Sequence, residues 1–352
     1  MIHGITLVCR QPPPLTGERS CARLSGAVRG RGSPPAGEYW LADIREERAV
    51  LHDTKILMTG ATGMVGRPIA MELARTNEVW AVGRFGDSQV RTTMEDAGVR
   101  TLRADLMDTD LPALPDVDFV LNFAVSRTND WGVDLDVNVD GLGALMYACR
   151  TAKAVLHCST TAVYQPDGHR RFAEDDPLGD NHRGGGDMFQ TYSISKIAAE
   201  AMARSCARRL KLPTTIARLN VPYGDRTGWP AFLLEAMLAG HPIPVHEDSP
   251  SEYQPIHHDD MVAMIPALLD AARTPATIVN WAGDEVSSIE EWCAYLAKLT
   301  GLDLTFAPTA HTLSSVTCDL TRMHELAGHT QTKWQDGLAR MVRACHPELL
   351  DG

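Results

Sequence analysis

A short apolar run that ends in glycines at fixed spacing constrains this chain more than any other feature. Lys55-Ile56-Leu57-Met58-Thr59 reads as a strand and passes directly into Gly60-Ala61-Thr62-Gly63-Met64-Val65-Gly66, which opens a helix. Gly60 permits the tight turn, Gly63 lets backbone approach a pyrophosphate, and Gly66 allows close helix–strand packing. The start of the helix adds unpaired N–H groups and a partial positive charge. A flexible turn alone would also be glycine-rich, but here the strand before and the helix after give the motif the context it needs. Gly60, Thr62, Gly63, Met64, Val65 and Gly66 are therefore candidate contacts to a nicotinamide dinucleotide.

Downstream, short apolar runs alternate with amphipathic stretches, the pattern of βαβ units. Strands are expected at Lys55–Thr59, Glu78–Val82, Val99–Arg103, Asp118–Phe123, Ala154–His157 and Thr214–Leu219. Helices are expected at Met64–Arg75, Asp136–Arg150 and Gln190–Arg209. After Asn220 the chain becomes richer in proline and glycine, with helices near Ala231–Ala239, Asp260–Ala272, Ile289–Thr300 and Trp334–Cys345. The expected fold is α/β: a Rossmann-type doubly wound parallel sheet with a smaller mixed α/β substrate lobe. Residues 53–221 form the dinucleotide domain in this reading, and 222–352 form mainly the substrate lobe, with helices returning to the core.

The stretch from Met1 to His52 has a different texture: several arginines, no lysine, Pro12 to Pro14 and Pro34-Pro35. It reads as a poorly ordered extension, or as an upstream stretch translated from a misplaced start. Glu18, Glu38, Asp43, Glu46 and Glu47 count against a transit peptide. A net charge of -12 argues against nucleic acid or an anionic membrane as partner. The eight cysteines are scattered, without a C-x-x-C pair, which suits free thiols. With no apolar run long enough for a bilayer, the chain is expected to be cytoplasmic.

The second strand ends Ala81-Val82-Gly83-Arg84. Gly83 leaves no acid to hold ribose hydroxyls, and Arg84 has the planar fork that suits a 2′-phosphate, so NADP is expected, with NAD as the alternative should Asp87 fold back. Asp105 and Leu106, after the third strand, are candidate adenine contacts. Phe123 and Ala124, after Asn122, would pass close to the cofactor.

Tyr192-Ser193-Ile194-Ser195-Lys196 places a phenol and an ammonium one helical turn apart. A free tyrosine titrates near about 10, and a neighbouring cation lowers that value. Upstream, Cys158-Ser159-Thr160-Thr161 lies at the carboxyl edge of a strand, where a hydroxyl can polarise a substrate oxygen. Tyr192 and Lys196 are thus both candidate catalytic residues and candidate cofactor contacts.

At these residues the sequence resembles the extended short-chain dehydrogenase/reductases, the NAD-dependent epimerase/dehydratase family, from about Lys55 to Trp281. The resemblance is carried by the glycine loop, Asn122-Phe123-Ala124, Asn138-Val139-Asp140-Gly141, Ser159-Thr160 with Val163-Tyr164, Tyr192 with Lys196, Arg218 to Gly224, and Ile256 to Asp260. It implies Thr160 as the catalytic hydroxyl, Asn138 as the residue steadying a water near the lysine, and Asn220 near the cofactor. It also implies a homodimer built on the helices Asp136–Arg150 and Gln190–Arg209. Two departures matter. Thr161-Ala162 stand where the family's dehydratases carry Asp-Glu, and Tyr253-Gln254-Pro255 replace an Arg-Asp-Phe segment that holds a diphosphate. The interval before Tyr192, with Gly184-Gly185-Gly186, reads as a mobile loop over the substrate pocket.

His241, His246, His257 and His258 lack metal-ligand spacing, so no metal is expected. Asp260 is expected to cap the following helix, Trp281, Trp292 and Trp334 to be core, and Ser193 and Ser195 to solvate the catalytic helix. The leading functional expectation is an NAD(P)-dependent oxidoreductase acting on a small-molecule secondary alcohol or ketone. An epimerase of a sugar or sugar-nucleotide is the enzyme alternative. A non-catalytic dinucleotide sensor is the third, disfavoured by the presence of both Tyr192 and Lys196.

Overall fold

Ile56, Leu57 and Met58 are completely buried, as a strand must be when helices cover both faces of its sheet. The computed structural model describes residues 51–108 and 111–350; apart from Leu51 and His52, the expected extension at 1–52 lies outside them. Seven strands form one parallel sheet. They are β1 (Lys55–Thr59), β2 (Glu78–Gly83), β3 (Arg100–Arg103), β4 (Phe119–Asn122), β5 (Ala154–Thr160), β6 (Thr214–Leu219) and β7 (Thr277–Trp281). Their spatial order, β3-β2-β1-β4-β5-β6-β7, reverses direction between β1 and β4. In such sheets that reversal opens a ligand crevice at the carboxyl ends.

Side chains alternate across β1 and so feed two cores. Leu57 packs with Val120, Leu142, Leu145, Ala199 and Ala203 on one face. Ile56 and Met58 pack with Leu121, Leu156, Met261, Met264 and Leu268 on the other.

The six expected strands are present, but β5 runs on to Thr160 and carries Ser159 and Thr160 within it. β7 is an addition to the expected set; it lies in the proline-rich stretch beyond Asn220, so the sheet draws on the carboxy-terminal third. The expected helix Asp136–Arg150 is instead a π-helical turn, Asp136–Asp140, followed by a helix at Gly141–Ala148.

The helices are α1 (Gly66–Leu73), α2 (Ser88–Asp96), α3 (Trp131–Leu135), α4 (Gly141–Ala148), α5 (Tyr192–Leu210), α6 (Trp229–Leu238), α7 (His258–Asp270), α8 (Ile289–Thr300), α9 (Thr321–Ala327) and α10 (Trp334–Cys345). α8 and α10 have the expected bounds, and α8 starts with a capping box between Ser288 and Glu291. Beyond the sheet, Ile243–His246 pairs with Phe306–Thr309, and Trp292 is fully buried beside Trp229 and Tyr253. Trp281 is likewise buried, and Trp334 packs partly buried against the core. Asp260 does not cap α7. His257 takes that role by accepting from Asp259 N at 3.1 Å, while Asp260 accepts from Gln331 N (2.6 Å) and Thr332 N (3.0 Å) and fastens the link before α10. No helix among the described residues is long and apolar enough to cross a membrane.

Candidate active site

The glycine turn sits at the β1–β4 crevice. Gly60 has φ 69°, and a Cβ there would lie 2.3 Å from the Phe123 carbonyl carbon. A Cβ on Gly66 would lie 2.3 Å from the Gly60 carbonyl oxygen, so both positions exclude a side chain. From this turn a cleft of about 480 Å3 runs to the tip of β2, lined by Thr62, Arg84, Phe85, Gly86, Asp87 and Val90. A backbone cradle opening into such a cleft fits the pyrophosphate and adenosine ribose of a dinucleotide. Arg84 is exposed at its mouth. Asp87 faces the same cleft and caps α2, its Oδ1 accepting from Gln89 N at 2.8 Å. Asp105 and Leu106 lie beyond β3, where Asp105 accepts from Met107 N at 3.1 Å. Gly141 at the start of α4 abuts Leu106, since a Cβ on it would sit 2.5 Å from the Leu106 carbonyl oxygen.

Tyr192 is the first residue of α5, and Lys196 follows one turn later. The Tyr192 phenol neighbours the Thr160 side chain at the end of β5. Burial pushes that phenol above its ordinary value, and the neighbouring Thr160 side chain works against the rise. Burial also lowers the Lys196 ammonium, which donates to the Cys158 carbonyl at 2.6 Å.

One more turn along α5, Glu200 accepts from Ser159 Oγ at 2.6 Å and pairs with Arg218 through Nε (2.9 Å) and Nη2 (2.8 Å). The neighbouring hydroxyls therefore divide their work. Ser159 is held by Glu200, and Thr160 meets the tyrosine. The side chain of Asn220, expected near the cofactor, bonds Thr161 Oγ1, Val316 O and Gln254 N, and its main-chain N–H donates to the Trp281 carbonyl at 3.0 Å.

Asn138 lies in the π-helical turn, an arrangement frequent at functional sites. Its amide is saturated by Ser126 N (2.7 Å), Ser126 O (2.8 Å) and Ser195 Oγ (3.1 Å). Ser195 in turn donates to the Tyr192 carbonyl at 3.0 Å. Ser193 and Ser195 are thus completely buried and do not solvate the helix.

Asp134 is a site residue that sequence reasoning misses. It is completely buried and accepts from Ser126 Oγ (2.5 Å), Thr128 N (2.9 Å), Asn129 N (3.1 Å) and Thr191 Oγ1 (2.5 Å). Burial alone would raise its carboxyl, but these hydrogen bonds hold it below the usual value. It knits the loop after β4 to the residue before Tyr192, and no local spacing announces such a role. His182 is a second such residue; its ring stacks on that of Tyr192, centroids 5.3 Å apart at 21°. Gly184 to Gly186, expected in a mobile loop, fall in a 3₁₀ segment, Asn181–Met188.

Among the described residues one group of possible metal ligands comes together, Asp284 with His324 and His329. Both imidazoles hydrogen-bond the carboxylate, at 3.2 and 2.6 Å, away from the four histidines weighed in the sequence. The described cysteines are free; Cys9 and Cys21 lie outside the described residues.

The sequence profile of the NAD dependent epimerase/dehydratase family matches residues 56–282. The chain belongs to that family. As a family member it is an NAD-dependent enzyme, with the Rossmann-type fold its sheet order displays. A curated relative of this epimerase/dehydratase is the low-salt glycan biosynthesis protein Agl12 of Haloferax volcanii, 25% identical over 67% of this chain and 79% of the relative. Among solved structures, MoeE5 in complex with UDP-glucose and NAD superposes with a TM-score of 0.69 at 24% identity, covering 84% of this chain and 99% of that one. The UDP-glucuronic acid 4-epimerase of Bacillus cereus, in complex with UDP-glucuronic acid and NAD, gives 0.69 at 22% identity, covering 82% and 97%.

Proposed function

We propose that this enzyme is an NAD-dependent epimerase of a sugar-nucleotide, in which Tyr192 carries the proton. The observation that carries this reading is the Tyr192 phenol beside the Thr160 side chain and one turn from Lys196, at the carboxyl edge of a sheet shared with UDP-sugar-binding relatives. When bound, the dinucleotide supplies the hydride acceptor and donor that inversion at a carbinol carbon needs. Tyr192 Oη takes the substrate hydroxyl proton and later returns it. Thr160 orients the same oxygen, and the nearby Arg127 charge favours the phenolate. Asn138 and Asp134 act through their neighbours, holding the loop after β4 and the start of α5. The oxidoreductase acting on a simple ketone, favoured from sequence, fits less well, because the relatives bind UDP-sugars. Dehydration lacks its acid and base at Thr161-Ala162.

The same comparison favours NAD over the NADP expected from Gly83-Arg84. Asp87 faces the adenosine cleft beside Arg84 and can take the ribose hydroxyls. Purified protein is expected to retain NAD through gel filtration and to invert UDP-glucose or UDP-glucuronic acid, followed by NMR, without net NADH. Arg84→Ala should leave NAD content unchanged. Cofactor-free protein that consumes external NADPH with a ketone would overturn the reading, and a loss of binding in Arg84→Ala would restore the NADP assignment.

We also infer a homodimer through α4 and α5. Between these helices lies a largely apolar groove, with Ala144, Tyr147, Met202 and Leu210 along it and Asp140 and Arg209 at its charged margin, and with Tyr147 62% exposed. An exposed patch of this kind on a helix pair is a candidate contact face. Light scattering should give a dimer that Tyr147→Glu shifts toward monomer. A concentration-independent wild-type monomer would refute it.

A further inference from the structure

Asp284, just beyond the end of β7, faces two imidazoles brought from further along the chain. His324, in the last turn of α9, meets its Oδ1 through Nε2 at 3.2 Å, and His329 meets its Oδ2 through Nδ1 at 2.6 Å. The two rings stack, centroids 4.0 Å apart at 29°. One atom able to ligate a metal from each of the three residues lies within 4.8 Å of the other two. The spacing H-x-x-x-x-H gives no warning of this, because residues five apart on a continuous helix diverge by about 140°. Here α9 stops at Ala327, and Gly328, with φ 72° and ψ -157°, turns the chain so that His329 folds over His324.

The carboxylate is held in place from outside the cluster. Thr330 N donates to Asp284 Oδ1 at 3.2 Å, and Asp284 N donates to Thr330 Oγ1 at 3.1 Å. A donor behind the carboxylate is the outer support that metal-binding carboxylates usually have. Burial alone would raise the Asp284 carboxyl, but its bonds to His329, Thr330 and His324 hold it below the usual value, so it is an anion at neutral pH. Solvent reaches the cluster, since the His329 side chain is 63% exposed and that of His324 31%. An ion can enter without the chain opening.

Ligand chemistry narrows the choice of ion. Two imidazoles and a carboxylate suit zinc and its neighbours, whereas calcium and magnesium take oxygen ligands. Around tetrahedral zinc, with bonds of about 2.0–2.1 Å, ligand atoms stand roughly 3.3 Å apart. The separation between Asp284 and His324 already has about that value. The shorter contact to His329 must widen as the ion replaces the proton between the two atoms. We propose that Asp284, His324 and His329 bind a divalent cation of the zinc class, with the fourth position left to water. β7 is the edge strand, and β6 separates it from the β5 strand that carries Thr160. The ion therefore acts as a clasp, fastening the end of β7 to the link before α10 that Asp260 also holds.

Untagged full-length protein, stripped with a chelator and titrated with Zn²⁺, should bind one equivalent tightly. Its Tm should rise by at least about 3 °C once free zinc reaches about a hundred times Kd. Mg²⁺ should do neither. His329→Gln removes a ligand from an exposed position, and Asp284→Asn keeps the side-chain shape and an oxygen for Thr330. Each should weaken that equivalent at least tenfold and abolish the rise in Tm. Equal zinc affinity in wild type and both variants would place the ion elsewhere and overturn the proposal. So would a wild type that binds no zinc at micromolar concentration, which would leave the cluster as hydrogen bonds alone.

Discussion

Tyr192→Phe will fold, retain dinucleotide and lose at least about 10²-fold in turnover, the usual scale for a positioned acid–base group. The variant keeps the ring that His182 stacks upon and removes only the oxygen beside Thr160. A stopped-assay comparison of kcat, with thermal unfolding as the control for folding, separates chemistry from structure. Turnover near wild type would remove Tyr192 from the mechanism. Thr160→Val should show a smaller loss of the same kind, since it leaves the phenol in place but unoriented.

The largest effect on stability is expected from Glu200→Gln, at about 3–5 kcal/mol, the range for breaking a buried pair by removing one partner. Glu200 is fully buried and Arg218 is 1% exposed. The guanidinium also donates to the Glu174 carbonyl at 2.8 Å and lies over the Tyr164 ring, 4.9 Å from its centroid. Once the carboxylate is neutralised, that cation keeps its position without a counter-charge. Chemical denaturation of the variant measures the loss. The double variant Glu200→Met with Arg218→Met should recover much of it, because apolar residues of similar volume can replace a buried pair at little cost. A single-variant loss below about 1 kcal/mol would show that water reaches the arginine.

The parts of this protein legible in the sequence are those whose signal is local. The strand and glycines from Lys55 to Gly66 declare themselves because turn, helix start and close packing each demand a residue type within a few positions. Tyr192 and Lys196 do so because one helical turn separates them. Ile289–Thr300 is bounded correctly because Ser288 and Glu291 form a capping box.

What is not legible is assembled across the chain. β7 is short, follows a proline-rich stretch and is recognisable only by its pairing with β6. Asp134 gains its role from Ser126, Thr128 and Thr191, which only the fold gathers. Ser193 and Ser195 look like solvent-facing positions until the fold brings the His182 main chain to Ser193 and the Asn138 amide to Ser195. Asp260 sits at a plausible capping position, yet His257 occupies the cap and Asp260 reaches to Gln331 and Thr332 instead.

Tyr192, Lys196 and Glu200 recur at one-turn intervals on α5, each gripping a different part of β5 or its neighbour β6. The helix is thereby indexed to the sheet like a key with three teeth. No residue can be gained or lost between 192 and 200 without putting every tooth out of step. The 3₁₀ segment before the helix, Asn181–Met188, meets it differently, through His182, which stacks on Tyr192 and donates from its main chain to Ser193 Oγ.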